Sequence, residues 1–145
     1  MTTANTRGLL TTLVAALQPR EEILEAYLFG SSATGATHAH SDVDVAVYLV
    51  DRRPTGSAFG YAADLAAMLM TSLGTSRVDV VVLNDAPPLL YHRVLRDGER
   101  ILSRDLRTTT TREGSALSRY CDYVPQLAKI EAAHEARIAA ARFGR

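Results

Sequence analysis

The chain has 145 residues, 47% of them hydrophobic and 22% charged, which suits one globular domain with its own core rather than two. Lysine plus arginine and aspartate plus glutamate each number 16, so the formal net charge is zero and the long-range positive field used in non-specific nucleic-acid binding is missing. The lone cysteine, Cys121, rules out an intramolecular disulfide, fits a reducing, cytoplasmic compartment and reads as a small core residue.

Leu9, Leu10, Leu13, Val14 and Leu17 recur at helical spacing. They predict a first amphipathic helix over 5–18, in preference to a signal peptide, because Thr11 and Thr12 interrupt the apolar run. "ILEAYLF" (23–29) reads as a strand, followed at once by Gly30 and Ser31 and by a short helix or turn to Gly35. A polar loop with His38 and His40 leads into "DVDVAVYLV", the clearest strand of the sequence. After a loop with Pro54 and Gly56, a helix is expected to end at Gly74, a C-terminal cap. "RVDVVVL" (77–83) is the next strand. Asp85 is then placed to cap a helix with Pro87 and Pro88 in its first turn and Gly98 at its end. "ERILS" reads as a short last strand, "LRTTTTREGS" as a loose polar segment, and the remainder as helix broken or restarted at Pro125. The order implies an α/β (α+β) fold: a small mixed β-sheet with flanking helices. Residues 1–104 would form the core and 105–145 a helical extension packed on the core or on a partner.

Side chains alternate along a strand, so Asp42 and Asp44 point one way while Val43, Val45, Val47 and Leu49 point into a core. Asp79 is another carboxylate among β-branched residues. If the two strands are neighbours, three carboxylates meet at one sheet end. Two like charges about 4 Å apart repel by roughly 4 kcal/mol at an effective dielectric near 20. Such a group takes up protons or binds a cation, and oxygen-only ligands favour Mg²⁺ or Mn²⁺. The Gly-Ser turn after a strand presents backbone N–H groups and a hydroxyl to an anion. An anion site beside a carboxylate site suggests a nucleoside triphosphate with its metal.

"GSSATGATHAHSDVDVAV" resembles the signature of the DNA polymerase beta-type nucleotidyltransferases, most closely their minimal single-domain members: Gly30, Ser31, Gly35, Ser41, Asp42 and Asp44 fall in its order. Asp79 matches the third aspartate on a later strand. The resemblance implies a palm-like core and ATP as substrate. Asp42 and Asp44 would hold one or both of two Mg²⁺ ions, and Asp79 would complete the site and orient or deprotonate an acceptor hydroxyl. Gly30, Ser31, Gly35 and Ser41 would cradle the phosphates. Minimal members often carry arginine before the second glycine; Thr34 stands there, and Arg52, Arg53 or Arg77 would have to supply that charge or catalysis would weaken.

The same family implies a partner. Its minimal members often act as antitoxin to a helical HEPN-type RNase toxin bearing Arg-x4–6-His, some by moving AMP onto a toxin tyrosine. No arginine precedes His38, His40, His92 or His134 at that spacing, so this chain does not read as the toxin. The alternatives are an antitoxin that neutralises by binding alone, and a transferase for a small molecule such as an antibiotic, which the lack of an added substrate domain disfavours.

Overall fold

A computed structural model of the chain describes residues 2–30, 42–51 and 60–143. Four strands form one mixed sheet: β1 (Ile23–Phe29), β2 (Val43–Leu49), β3 (Val78–Val82) and β4 (Glu99–Ser103), in the spatial order β3-β2-β1-β4. β1 is antiparallel to both β2 and β4, whereas β2 and β3 are parallel. A parallel pair needs a crossover, and α2 (Tyr61–Leu73) supplies it. Gly74 ends α2 as expected, at φ 68° with its N–H donating to Met70 O.

Each sheet face has its own core. On one face Ala26, Leu28, Val45, Val47, Leu49 and Val80 pack under α1 (Thr2–Leu17) and α2 through Leu13, Leu17, Leu65 and Leu69. Thr11 and Thr12 do not interrupt α1, because their hydroxyls donate to Arg7 O and Gly8 O one turn back, each at 2.9 Å. The opposite face carries Tyr27, Ala46 and Leu83 under α3 (Pro88–Asp97), through Tyr91 and Val94, and under Ala116 of α4 (Leu106–Phe143).

Four expectations are corrected. Asp85 lies in a 3-10 turn (Leu83–Asp85) and not at the N-cap of α3; Pro88 favours an extended residue before it, so Pro87 takes the N-cap at ψ 150° and α3 begins at Pro88. The polar stretch after Asp105 is not loose: α4 runs unbroken for 38 residues. Asp105 caps it, accepting from Thr108 Oγ1 at 2.6 Å and Arg107 N at 3.2 Å, and the Thr108 hydroxyl leads in holding its carboxyl below the usual range. Thr110 and Thr111 donate to Arg107 O, so hydroxyls that disfavour a helix in solution are satisfied inside it. Pro125 sits within α4 among mostly exposed residues, where water can serve a carbonyl that lacks its helical N–H partner. Cys121 is exposed, not a core residue. Among the described residues no helix is long and apolar enough to cross a membrane.

Candidate active site

The order of the strands brings the site together. Asp44 stands opposite Phe29 of β1 on one side and opposite Asp79 of parallel β3 on the other. The side chains of Asp44, Ala46 and Tyr48 share the α3/α4 face, because Val43, Val45 and Val47 fill the core on the other. Val43 N donates to Arg77 O at 2.8 Å, which carries the β2–β3 pairing to the sheet margin where Asp42 lies exposed. Asp79 is exposed and Asp44 half-buried.

Gly30 follows Phe29 at φ 75°, a conformation that side chains rarely adopt. Its missing side chain also makes room: a Cβ there would run into Asp44 Oδ2 and lie 3.2 Å from Asp44 Cγ. The glycine turn and the carboxylate are therefore in direct contact, which the sequence spacing suggested but did not fix. Burial holds the Asp44 carboxyl above the ordinary carboxylate range, and the like charges of Asp79 and then Asp42 push it the same way.

The three aspartates thus act on one another at one sheet edge. Among the described residues, however, no three His, Cys, Asp or Glu side chains are gathered into a ready metal cage. The chemistry of the donor set fits a hard divalent cation: it is all oxygen, it carries like charges, and one member is already strained toward protonation. Mg²⁺ commonly takes one or two carboxylates and completes its shell with phosphate and water, so the Asp44–Asp79 edge does not need a third fixed ligand. Ser31, Gly35 and Ser41 lie outside the described residues, as do Thr34, His38, His40, Arg52 and Arg53. Arg77 is described and belongs to the same margin of the sheet.

Sequence reasoning missed the other polar feature of this face. Glu25, fully buried, accepts two bonds from Arg112 of α4, each 2.8 Å, and Thr109 Oγ1 approaches it at 3.4 Å. The Arg112 guanidinium also lies 4.7 Å over the Tyr48 ring. The signal was one glutamate in an otherwise apolar strand, in the same alternation as Tyr27. Tyr120 of α4 stacks on His92 of α3 with centroids 3.6 Å apart.

The family model described as polymerase beta, nucleotidyltransferase, matches residues 11–107. The protein adenylyltransferase MntA of Shewanella oneidensis is 35% identical over 75 residues, which are 52% of this chain and 50% of that protein, so the chain spans about half the length of this relative. A solved toxin–antitoxin structure with AMP-PNP superposes with a TM-score of 0.72 at 24% identity, covering 86% of this chain and 98% of that one. A structure of tri-AMPylated Shewanella oneidensis HEPN toxin in complex with MNT antitoxin gives 0.63 at 22% identity, covering 92% and 99%. At such identities the two structures speak for the fold.

Proposed function

Since this chain belongs to the polymerase beta nucleotidyltransferase family, we propose that it transfers AMP from ATP to a hydroxyl of a partner protein, a tyrosine of a HEPN-type RNase toxin, and so serves as its cytoplasmic antitoxin. The observation that carries this reading is the half-buried Asp44, set opposite Asp79 and against Gly30. Like charges held together beside a glycine turn answer to a cation and to the phosphates that come with it.

Asp42 and Asp44 would hold Mg²⁺, two ions in all with Asp79, and the metal would supply positive charge to the oxygens of the triphosphate. The Gly30 turn, and with it Ser31, Gly35 and Ser41, would face the β- and γ-phosphates. Asp79 would face the acceptor and orient its hydroxyl. The acceptor oxygen forms a bond to the α-phosphorus as the α–β phosphoanhydride breaks. Pyrophosphate leaves, and the hydroxyl proton passes to the Asp79 carboxylate and on to solvent. The named activity of the Shewanella oneidensis relative supports AMP as the group moved, and the toxin–antitoxin structures support the class of partner.

The test is incubation with α-labelled ATP, Mg²⁺ and the protein encoded by the neighbouring gene. Label is expected on that protein and is lost, by about a thousandfold or more, in Asp42→Asn/Asp44→Asn. A tight complex that never takes up label would leave an antitoxin acting by binding alone.

A further inference from the structure

α4 is far longer than the core it packs on. Glu113 pairs with Arg100 just past the end of α3, Arg119 lies 5.8 Å over the Tyr91 ring, and Tyr120 stacks on His92. α4 therefore runs back along α3, and four residues past Tyr120 it draws level with Pro88, where α3 begins. From Val124 to Arg142 it has no α3 beside it, and every residue except the half-buried Leu127 is exposed. The overhang is about 28 Å long at 1.5 Å per residue. Val124 is 40% exposed and Ile138 44%.

The face that packs on the core continues along this overhang. Ala116 and Tyr120 are followed at helical spacing by Leu127, His134 and Ala141, with Val124, Glu131 and Ile138 beside them at seven-residue intervals. The seam is apolar at both ends and ionisable in the middle. A wholly apolar partner would strand Glu131 and His134, whereas an antiparallel copy matches every layer. Val124 then meets Ala141 of the second copy, Leu127 meets Ile138, and Glu131 meets His134, with each contact repeated by two-fold symmetry.

We infer that the overhanging half of α4 is a dimerisation arm, pairing antiparallel with a second copy of this chain through Val124, Leu127, Ile138 and Ala141 around a central Glu131–His134 exchange. This surface is separate from the acidic edge and does not depend on the reaction proposed there.

Sedimentation equilibrium of the full chain at about 100 µM, a concentration that detects micromolar association, is expected to give a dimer. Ile138→Asp puts a charge against Leu127 and is expected to give a monomer with unchanged far-ultraviolet circular dichroism. His134→Glu sets like charges across the symmetry axis and is expected to do the same. Adding Glu131→Lys to His134→Glu sets opposite charges across the axis and should restore the dimer, a rescue that loss of folding would not allow. A monomeric native chain at that concentration, or a dimer indifferent to both single variants, overturns the proposal. So does a native monomer in which Ile138→Asp instead abolishes binding to the protein encoded alongside, since the seam then belongs to that partner.

Discussion

The α3/α4 face of the sheet holds two carboxylate sites handled in opposite ways. Glu25 is removed from water altogether and answered within the chain, by the two-pronged Arg112 guanidinium and by Thr109. Asp44 is half-buried, and the described groups that shift it are the like charges of Asp79 and Asp42. Between them stand Tyr27 and Tyr91, whose hydroxyls are buried without a hydrogen-bond partner among the described residues. Burial above all, and then the Glu25 charge, pushes the Tyr91 phenol up to about 12, so it stays neutral in the cell's range. A fold that brings an arginine across 87 residues for one carboxylate has the means to neutralise another. Among the described residues Asp44 is instead left beside like charges, the arrangement that the proposed cation would answer.

The strongest way to break this contrast is to treat Glu25 as Asp44 is treated. Arg112→Ala leaves a fully buried carboxylate without its cation, and breaking such a pair costs about 3–5 kcal/mol. Urea denaturation of the variant should show a loss of that order. Glu25→Gln/Arg112→Met removes both charges and should recover most of it. A loss below about 1 kcal/mol in Arg112→Ala would mean that the clasp is no more than a surface ion pair.

The opposite experiment crowds the acidic edge. Gly30→Ala places a side chain at φ 75° and drives its Cβ into the Asp44 carboxylate. The left-handed conformation alone costs about 1–2 kcal/mol. The proposed AMP transfer is expected to fall further than stability, because the carboxylate itself must move. Equal transfer in Gly30→Ala and the native chain would show that the position of Asp44 against the turn is irrelevant to the reaction.

Much of the acidic edge was legible in the sequence because its logic is local. Alternation separates Asp44 from Val43 and Val45, and a glycine directly after a strand marks the turn. Gly74 and the strand Glu99–Ser103 were legible for the same reason. The register of Asp44 against Asp79 was not, since periodicity gives faces but not strand order. The clasp was hidden more deeply: Glu25 and Arg112 meet only because β4 and α4 fold back over β1. The threonine run misled because its composition suits a loop, and only the Asp105 cap and the burial of Thr109 against Glu25 and Ser103 make it helical. Cys121 misled because cysteine is usually buried, and here it lies at the start of a helix end that leaves the core.

The finest test of the contrast reads the electrostatic cost of Asp44 in the resting protein. Its carboxyl is raised, so the folded state holds the proton more tightly than the unfolded one. That contribution is fully present below the unfolded value near 4 and is lost as pH rises through the folded value. At neutral pH without divalent metal, Asp44→Asn should therefore be more stable than the native chain. The gain should be less than about 1 kcal/mol, since the edge is open to solvent and its repulsion is screened. Thermal unfolding in a chelating buffer should show the two chains converging as pH falls below about 4. Saturating Mg²⁺ should reverse the order at neutral pH, because only the native edge gains from the cation: at one hundred times the dissociation constant the gain is about 2.7 kcal/mol. A native chain more stable than Asp44→Asn in the chelator would mean that Asp44 already has its counter-charge within the fold, and the distinction from Glu25 would vanish.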